Sequence, residues 1–136
     1  MWTPEQEIFI QELERETKAT LSNYGITADV YIVKPDRIPV QMVDVVTDAL
    51  NLEKKVYTLK SRERDIVELR FICALLMKKY MPRVTLSQIA RIFGGMNHTS
   101  IINAREQGNN LLETQEPVFT EKYQIAEKAV LQWLKA

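Results

Sequence analysis

The sequence predicts an all-α domain, and three observations carry that prediction. Glycine and proline are scarce, four and five in 136 residues, a composition that favours long helices over tight turns. Apolar residues recur at helical spacing through most of the chain, and two of these runs open on a capping box. A short helical run then ends on a glycine pair, and a longer run starts just beyond it. Hydrophobic residues make up 46%, enough for a packed core and too much for wholesale disorder. The length suits one domain.

Taken in order, Thr3 can cap a first helix, Pro4 fits its first position and Gln6 completes a capping box. Phe9, Leu13 and Leu21 fall at helical spacing, with Glu5, Glu7, Glu12 and Glu14 mostly off that stripe. Gly25 can take the left-handed conformation that closes such a helix, so the end is expected near residues 23–25. In "ADVYIVKPDRIP", Val30 to Val33 read as extended, and Pro35 and Pro39 forbid a helix across the segment. The segment pairs with "KVYTL" at residues 55–59, pairs with another chain, or is merely extended; the sequence leaves the three open. Val43, Val46 and Leu50 place a helix over about residues 40–50.

A polar, basic loop, "KSRERD", follows. From Asp65, Ile66, Leu69, Ile72, Cys73, Leu76, Met77 and Tyr80 mark a core helix that Pro82 ends. Cys73 lies on the apolar stripe and reads as a small hydrophobe, not a nucleophile. Thr85 and Gln88 form the second capping box, with Leu86, Ile89 and Phe93 toward the core. Gly94 and Gly95 end this short helix because glycine accepts the positive φ of a sharp exit. Asn97 can cap the next helix, whose expected stripe is Ile101, Ile102, Arg105 and Leu112, with Gly108 as a weak point. A short helix, a glycine turn and a longer helix are the sequence form of a helix-turn-helix.

The charge is balanced overall but not along the chain. Eighteen basic and eighteen acidic residues cancel, which taken alone counts against nucleic-acid binding. Between Lys54 and Arg105, however, eleven Lys or Arg face three acids, Glu63, Asp65 and Glu68, a balance of +8. The rest of the chain carries the compensating −8. Such polarity can make a basic face that attracts polyanions.

In a helix-turn-helix the second helix enters the major groove by its N-terminal turn. Here that turn carries Asn97, His98, Thr99 and Ser100, short residues rich in donors and acceptors. Asn can pair with adenine through two hydrogen bonds, and Thr can offer a hydroxyl or a methyl to a base edge. Free backbone N–H groups in the same turn can hold a phosphate. The candidate reading face spans residues 96–105, from Met96 through Asn103 to Arg105, and the basic loop at residues 60–70 supports it.

Other chemistries are not expected. A lone His without Cys or further His is no metal site. There is no GxxxxGK[ST] to cradle a nucleotide, and no paired carboxylates or nucleophile–base set to suggest an enzyme. One cysteine permits no internal disulfide. "MWTPEQEIFIQ" has acids where a secretory leader has basic residues, and the apolar runs fall short of a membrane span. A cytoplasmic location is therefore expected, with no cofactor and no membrane partner.

The motif "FGGMNHTSIINA", residues 93–104, resembles the signature of the C-terminal DNA-binding domain of the bacterial replication initiator DnaA, roughly Phe-Gly-Gly-Arg-Asp-His-Thr-Thr-Val, a variable residue, His, Ala. "RERDIVELRFICALL" and "TLSQIARIFGG" resemble that family's basic loop with its long helix and its Ser-Leu-x-x-Ile-Gly-x-x-Phe-Gly-Gly. The resemblance covers residues 41–136. It implies a helix-turn-helix domain of the Trp-repressor-like kind over residues 38–136, preceded by a helix and an extended segment over residues 1–37. By motif position His98, Thr99 and Ser100 match the family's His, Thr and Thr, and Thr85 stands where the family has Ser. Asn97 replaces an Asp that contacts bases, and Met96 replaces a basic residue. Arg62, Arg64 and Arg70 match basic positions, while Glu68 falls near a position where many members carry a minor-groove arginine.

The implied function is sequence-specific binding of double-stranded DNA in replication initiation, its regulation, or a related mobile-element role. The implied protein is a free-standing module without the family's ATPase domain. Two alternatives stay open: a protein-interaction module that keeps the fold and has lost specific DNA binding, favoured by Met96, Glu68 and the neutral charge, and a transcriptional regulator. The N-terminal helix is expected to pack on the domain or to carry a homodimer or protein contact, since an amphipathic stripe must be buried somewhere.

Overall fold

The capping boxes and glycine stops read from the sequence recur as helix ends in the computed structural model, which describes residues 3–30, 32 and 37–136. The described elements are α1 (Pro4–Asn23), α2 (Pro39–Ala49), a 3-10 turn (Val56–Thr58), α3 (Arg64–Tyr80), α4 (Leu86–Ile92), α5 (His98–Glu113) and α6 (Pro117–Lys135). The chain divides into two compact units, one formed by residues 1–37 and one built from Ile38 onward.

The first unit is α1 and its exit. Thr3 Oγ1 accepts from the Gln6 N–H at 3.2 Å while Gln6 Oε1 accepts from the Thr3 N–H at 2.8 Å. At the other end Gly25 sits at φ 74°. Its N–H and that of Ile26 donate to the Ser22 and Leu21 carbonyls, both at 3.0 Å. No residue of α1 is buried. Phe9 and Leu13 of the expected stripe are exposed, and Leu21 is half-buried.

In the second unit α3 is the axis. Ile66, Leu69, Ile72, Cys73, Ala74, Leu75, Leu76 and Met77 are all buried, a helix apolar on nearly every side, as a central helix must be. α2 lays Met42, Val43 and Val46 in the core, and α6 adds Phe119, Ala126, Val130 and Leu134. The Phe71 and Phe119 rings meet edge-on at 6.5 Å. Cys73 is fully buried and its thiol pKa is pushed up by that burial.

Two expectations change, and one of three open readings closes. Among the described residues there is no strand. The candidate partner at residues 55–59 holds the 3-10 turn, entered by Lys55 at φ 62°. Within the Val30 to Val33 reading, Tyr31 and Val33 lie outside the described residues, and Val30 and Ile32 pair with no strand. The buried line of α5 is Ile101, Ala104 and Gly108, whereas Ile102 is 45% exposed. Gly108 is a packing point and not a weak one. A Cβ there would stand 2.7 Å from Leu75 Cδ1, so glycine lets α5 lie close on α3.

Candidate nucleic-acid interface

α4, the glycine turn and α5 form the helix-turn-helix. Thr85 Oγ1 caps α4 by accepting from the Gln88 N–H at 3.2 Å. The helix closes at Gly94 and Gly95, with φ 83° and 92°. Their N–H groups donate to the Arg91 and Ala90 carbonyls at 3.2 and 2.8 Å. Asn97 then caps α5, its Oδ1 accepting from the Ser100 N–H at 2.8 Å. Ser87 Oγ and His98 Nε2 lie 2.9 Å apart, a direct tie between the two helices.

The loop before α3 is held against this turn from four sides. Arg70 is 8% exposed. Its guanidinium donates to the Tyr57 carbonyl at 3.2 Å, to the Ser61 carbonyl at 3.1 Å and to the Leu59 carbonyl. The Tyr57 ring is buried edge-on against Phe93 at 6.3 Å, and its hydroxyl donates to Asp44 Oδ1 at 2.6 Å. Gly94 packs on the loop backbone so closely that a Cβ would stand 2.5 Å from the Thr58 carbonyl oxygen. Buried backbone carbonyls need donors, and Arg70 supplies one fork of them to three loop residues.

The result is a cleft of about 470 Å³ between loop and turn, lined on one side by Leu59, Lys60, Ser61 and Arg62 and on the other by Gly94, Gly95, Met96, Asn97 and Ser100, with Arg70 and Phe93 also on its wall. A second shallow groove runs along α5 past Asn97, Thr99, Ser100, Ile102, Asn103 and Glu106. The fold therefore brings Arg62 together with Met96, Asn97 and Ser100. His98, Thr99 and Asn103 are exposed on the same tip and flank of α5, and Thr85 is exposed at the start of α4.

The basic residues divide into free and committed ones. Among the described residues no ion pair or hydrogen bond takes Lys60 or Arg62, and both are exposed. Arg64 is the first residue of α3, not part of the loop, and it is engaged. Its Nε reaches Glu68 Oε1 at 3.1 Å and its Nη2 reaches Glu116 Oε1 at 3.6 Å. Glu68, buried, also binds Lys122 at 3.2 Å. Arg70 faces inward, as a clamp on the loop. Its pKa is drawn below the ordinary guanidinium value by burial, as is that of half-buried Arg105. The Nε of Arg105 is buried with no partner.

Sequence reasoning missed Lys60 as a candidate, although it stands in the same basic loop. It also missed Ser87, whose contact to His98 depends on the angle between two helices. Arg70 drew attention as a basic residue near the loop; a side chain long enough to reach back under that loop gives no separate sequence signal. Residues 39–107 match the family described as the bacterial dnaA protein helix-turn-helix. The match begins at the first residue of α2 and ends within α5.

Proposed function

The chain belongs to the bacterial dnaA helix-turn-helix family, and from that premise we propose that it binds duplex DNA with α5 in the major groove and the Lys60–Arg62 loop on the neighbouring backbone or minor groove. The observation that carries the reading is the cleft. It puts two unpaired cations and the exposed polar tip of α5 on opposite walls of one groove. Cations of this kind position a protein on phosphates, while the side chains of the helix tip read bases. In this role Asn97, Thr99 and Ser100 face base edges, with His98 held by Ser87. The loop is pre-organised by Arg70 and Gly94, so little ordering entropy is lost on binding.

The reading extends to sequence-specific binding in replication initiation or its regulation, the role that the resemblance of the "FGGMNHTSIINA" motif implies. The binding is expected in the cytoplasm, without cofactor or nucleotide.

Fluorescence anisotropy with random and selected duplexes at two salt concentrations tests the binding. Affinity should fall steeply with salt, with a log–log slope of about −3 to −6 for a handful of phosphates. Arg62→Ala should reduce the magnitude of the slope by about one, whereas Arg64→Ala, already paired within the protein, should change it less. Absence of binding to any duplex at low salt would refute the proposal and favour a protein-interaction role.

A further inference from the structure

The cap on α5 commits half of Asn97 before any ligand arrives. Asn97 Oδ1 accepts from the Ser100 N–H at 2.8 Å and from the Ser100 hydroxyl at 2.9 Å. A carbonyl oxygen has two lone pairs, and both are used. The orientation of the carboxamide is not ambiguous, because a backbone N–H can only face the oxygen. The carboxamide nitrogen, with its two N–H donors, is left exposed at the junction of the cleft and the α5 groove, where no described residue takes it. The two-bond pairing of Asn with adenine, expected from residue type alone, needs both ends of the carboxamide. The cap removes one of them.

We propose, building on the DNA-binding reading above, that Asn97 acts as a donor-only reader and selects a keto base, guanine or thymine, over an amino base at the position it faces. In the major groove guanine presents O6 and N7, and thymine presents O4, all acceptors. Cytosine presents the N4 amino group, and adenine places its N6 amino group beside N7. An NH2 group meeting another NH2 leaves donors on both sides unpaired in a desolvated interface, which is costly. Guanine, with two adjacent acceptors, is the preferred partner.

The test is site selection from random duplex DNA by the full chain, run in parallel with Asn97→Asp and Asn97→Ser. Both substitutions retain a residue that caps helices well, and circular dichroism checks that each variant is folded. The aspartate keeps an oxygen for Ser100 and replaces the NH2 with a second acceptor. At one position of the selected site, wild type should prefer guanine or thymine by roughly ten-fold or more. Asn97→Asp should invert that position to cytosine or adenine, and Asn97→Ser should flatten it. If the position that responds is adenine or cytosine in wild type, or if all three proteins select the same site, the donor-only reading is overturned while DNA binding stands. If wild type binds no duplex at low salt, both readings fall together.

Discussion

Gly94 and Gly95 are adjacent, share a left-handed backbone and differ in what lies beside them, so alanine at each position separates two effects that usually arrive together. At φ 83° and 92° an L-residue costs about 1–2 kcal/mol in either place. Alanine also restricts the unfolded chain, which returns about 0.4–1 kcal/mol. Up to this point the two substitutions are equal. A Cβ on Gly95 meets nothing within 4 Å. A Cβ on Gly94 meets the Thr58 oxygen at 2.5 Å and the Thr58 carbonyl carbon and Cα at 3.3 Å. These are backbone atoms in a loop fixed by Arg70 and Tyr57, so they cannot rotate away. Overpacking of this kind costs about 1–3 kcal/mol.

Gly95→Ala should therefore lose about 1 kcal/mol, and Gly94→Ala about 2–4 kcal/mol, a large part of the stability of a small domain. The excess for Gly94 should appear as a further drop in Tm of about 4–8 °C per kcal/mol. Urea unfolding followed by circular dichroism, with a common m-value as the check on two-state behaviour, measures both. Equal losses at the two glycines would refute the idea that the loop and the turn are locked together at Thr58.

Two further perturbations follow from the geometry. Arg70→Leu should destabilise the fold by about 3 kcal/mol or more, because three carbonyls lose their charged donor, and Arg70→Lys should recover only part of this, since an ammonium lacks the planar fork; urea unfolding of the two variants against wild type decides it, and full rescue by lysine would contradict the clamp. Tyr123, whose hydroxyl is driven up to about 12 first by burial and then by the neighbouring Glu127 carboxylate, keeps its proton in the folded state where the unfolded chain loses it. Stability should accordingly fall as pH rises from about 10 toward 12, a decline that Tyr123→Phe should reduce in pH-dependent unfolding; an identical profile for the variant would sink the assignment.

The helices were legible because their ends carry side-chain chemistry. Thr3 with Gln6, Thr85 with Gln88, and Asn97 each announce a start, and Gly25 and Gly94 each announce a stop. Pro82 marks the end of α3, but two stops with neither glycine nor proline gave no such signal. Asn51 and Gln115 close α2 and α5 at φ 57° and 55°, with the same reach of Leu52 N–H to the Thr47 carbonyl and Glu116 N–H to the Leu111 carbonyl, at 3.1 and 3.0 Å. Asn takes the left-handed conformation more readily than most residues, whereas Gln does not, so residue type gives a weak signal at Asn51 and none at Gln115. The same limit explains the site. Asn97, His98, Thr99 and Ser100 were visible as a polar cluster at a helix start. Which of their atoms remain available was not visible, because the cap on Ser100 and the bond from Ser87 are settled only once the two helices have met. Ile102 was placed on the core stripe by spacing, yet burial favours Ile101 because Gly108 draws α5 down onto Leu75 along that line.

Cys73 sits at the centre of α3 with no solvent exposure and a thiol pushed well above its ordinary range. Only the thiolate reacts at an appreciable rate, so a modifying reagent meets this sulfur when the core around it has opened and not before. The protein thus carries a native clock for its own opening. When reclosing is fast relative to modification, the rate of labelling counts the fraction of molecules open at the central helix, and when modification is fast it counts the openings themselves. Because that one sulfur is silent in the folded state, a cysteine introduced on the α5 tip or on the loop would be the only reactive thiol on the molecule. A dye could then be placed on either wall of the cleft without altering the native residue in the core.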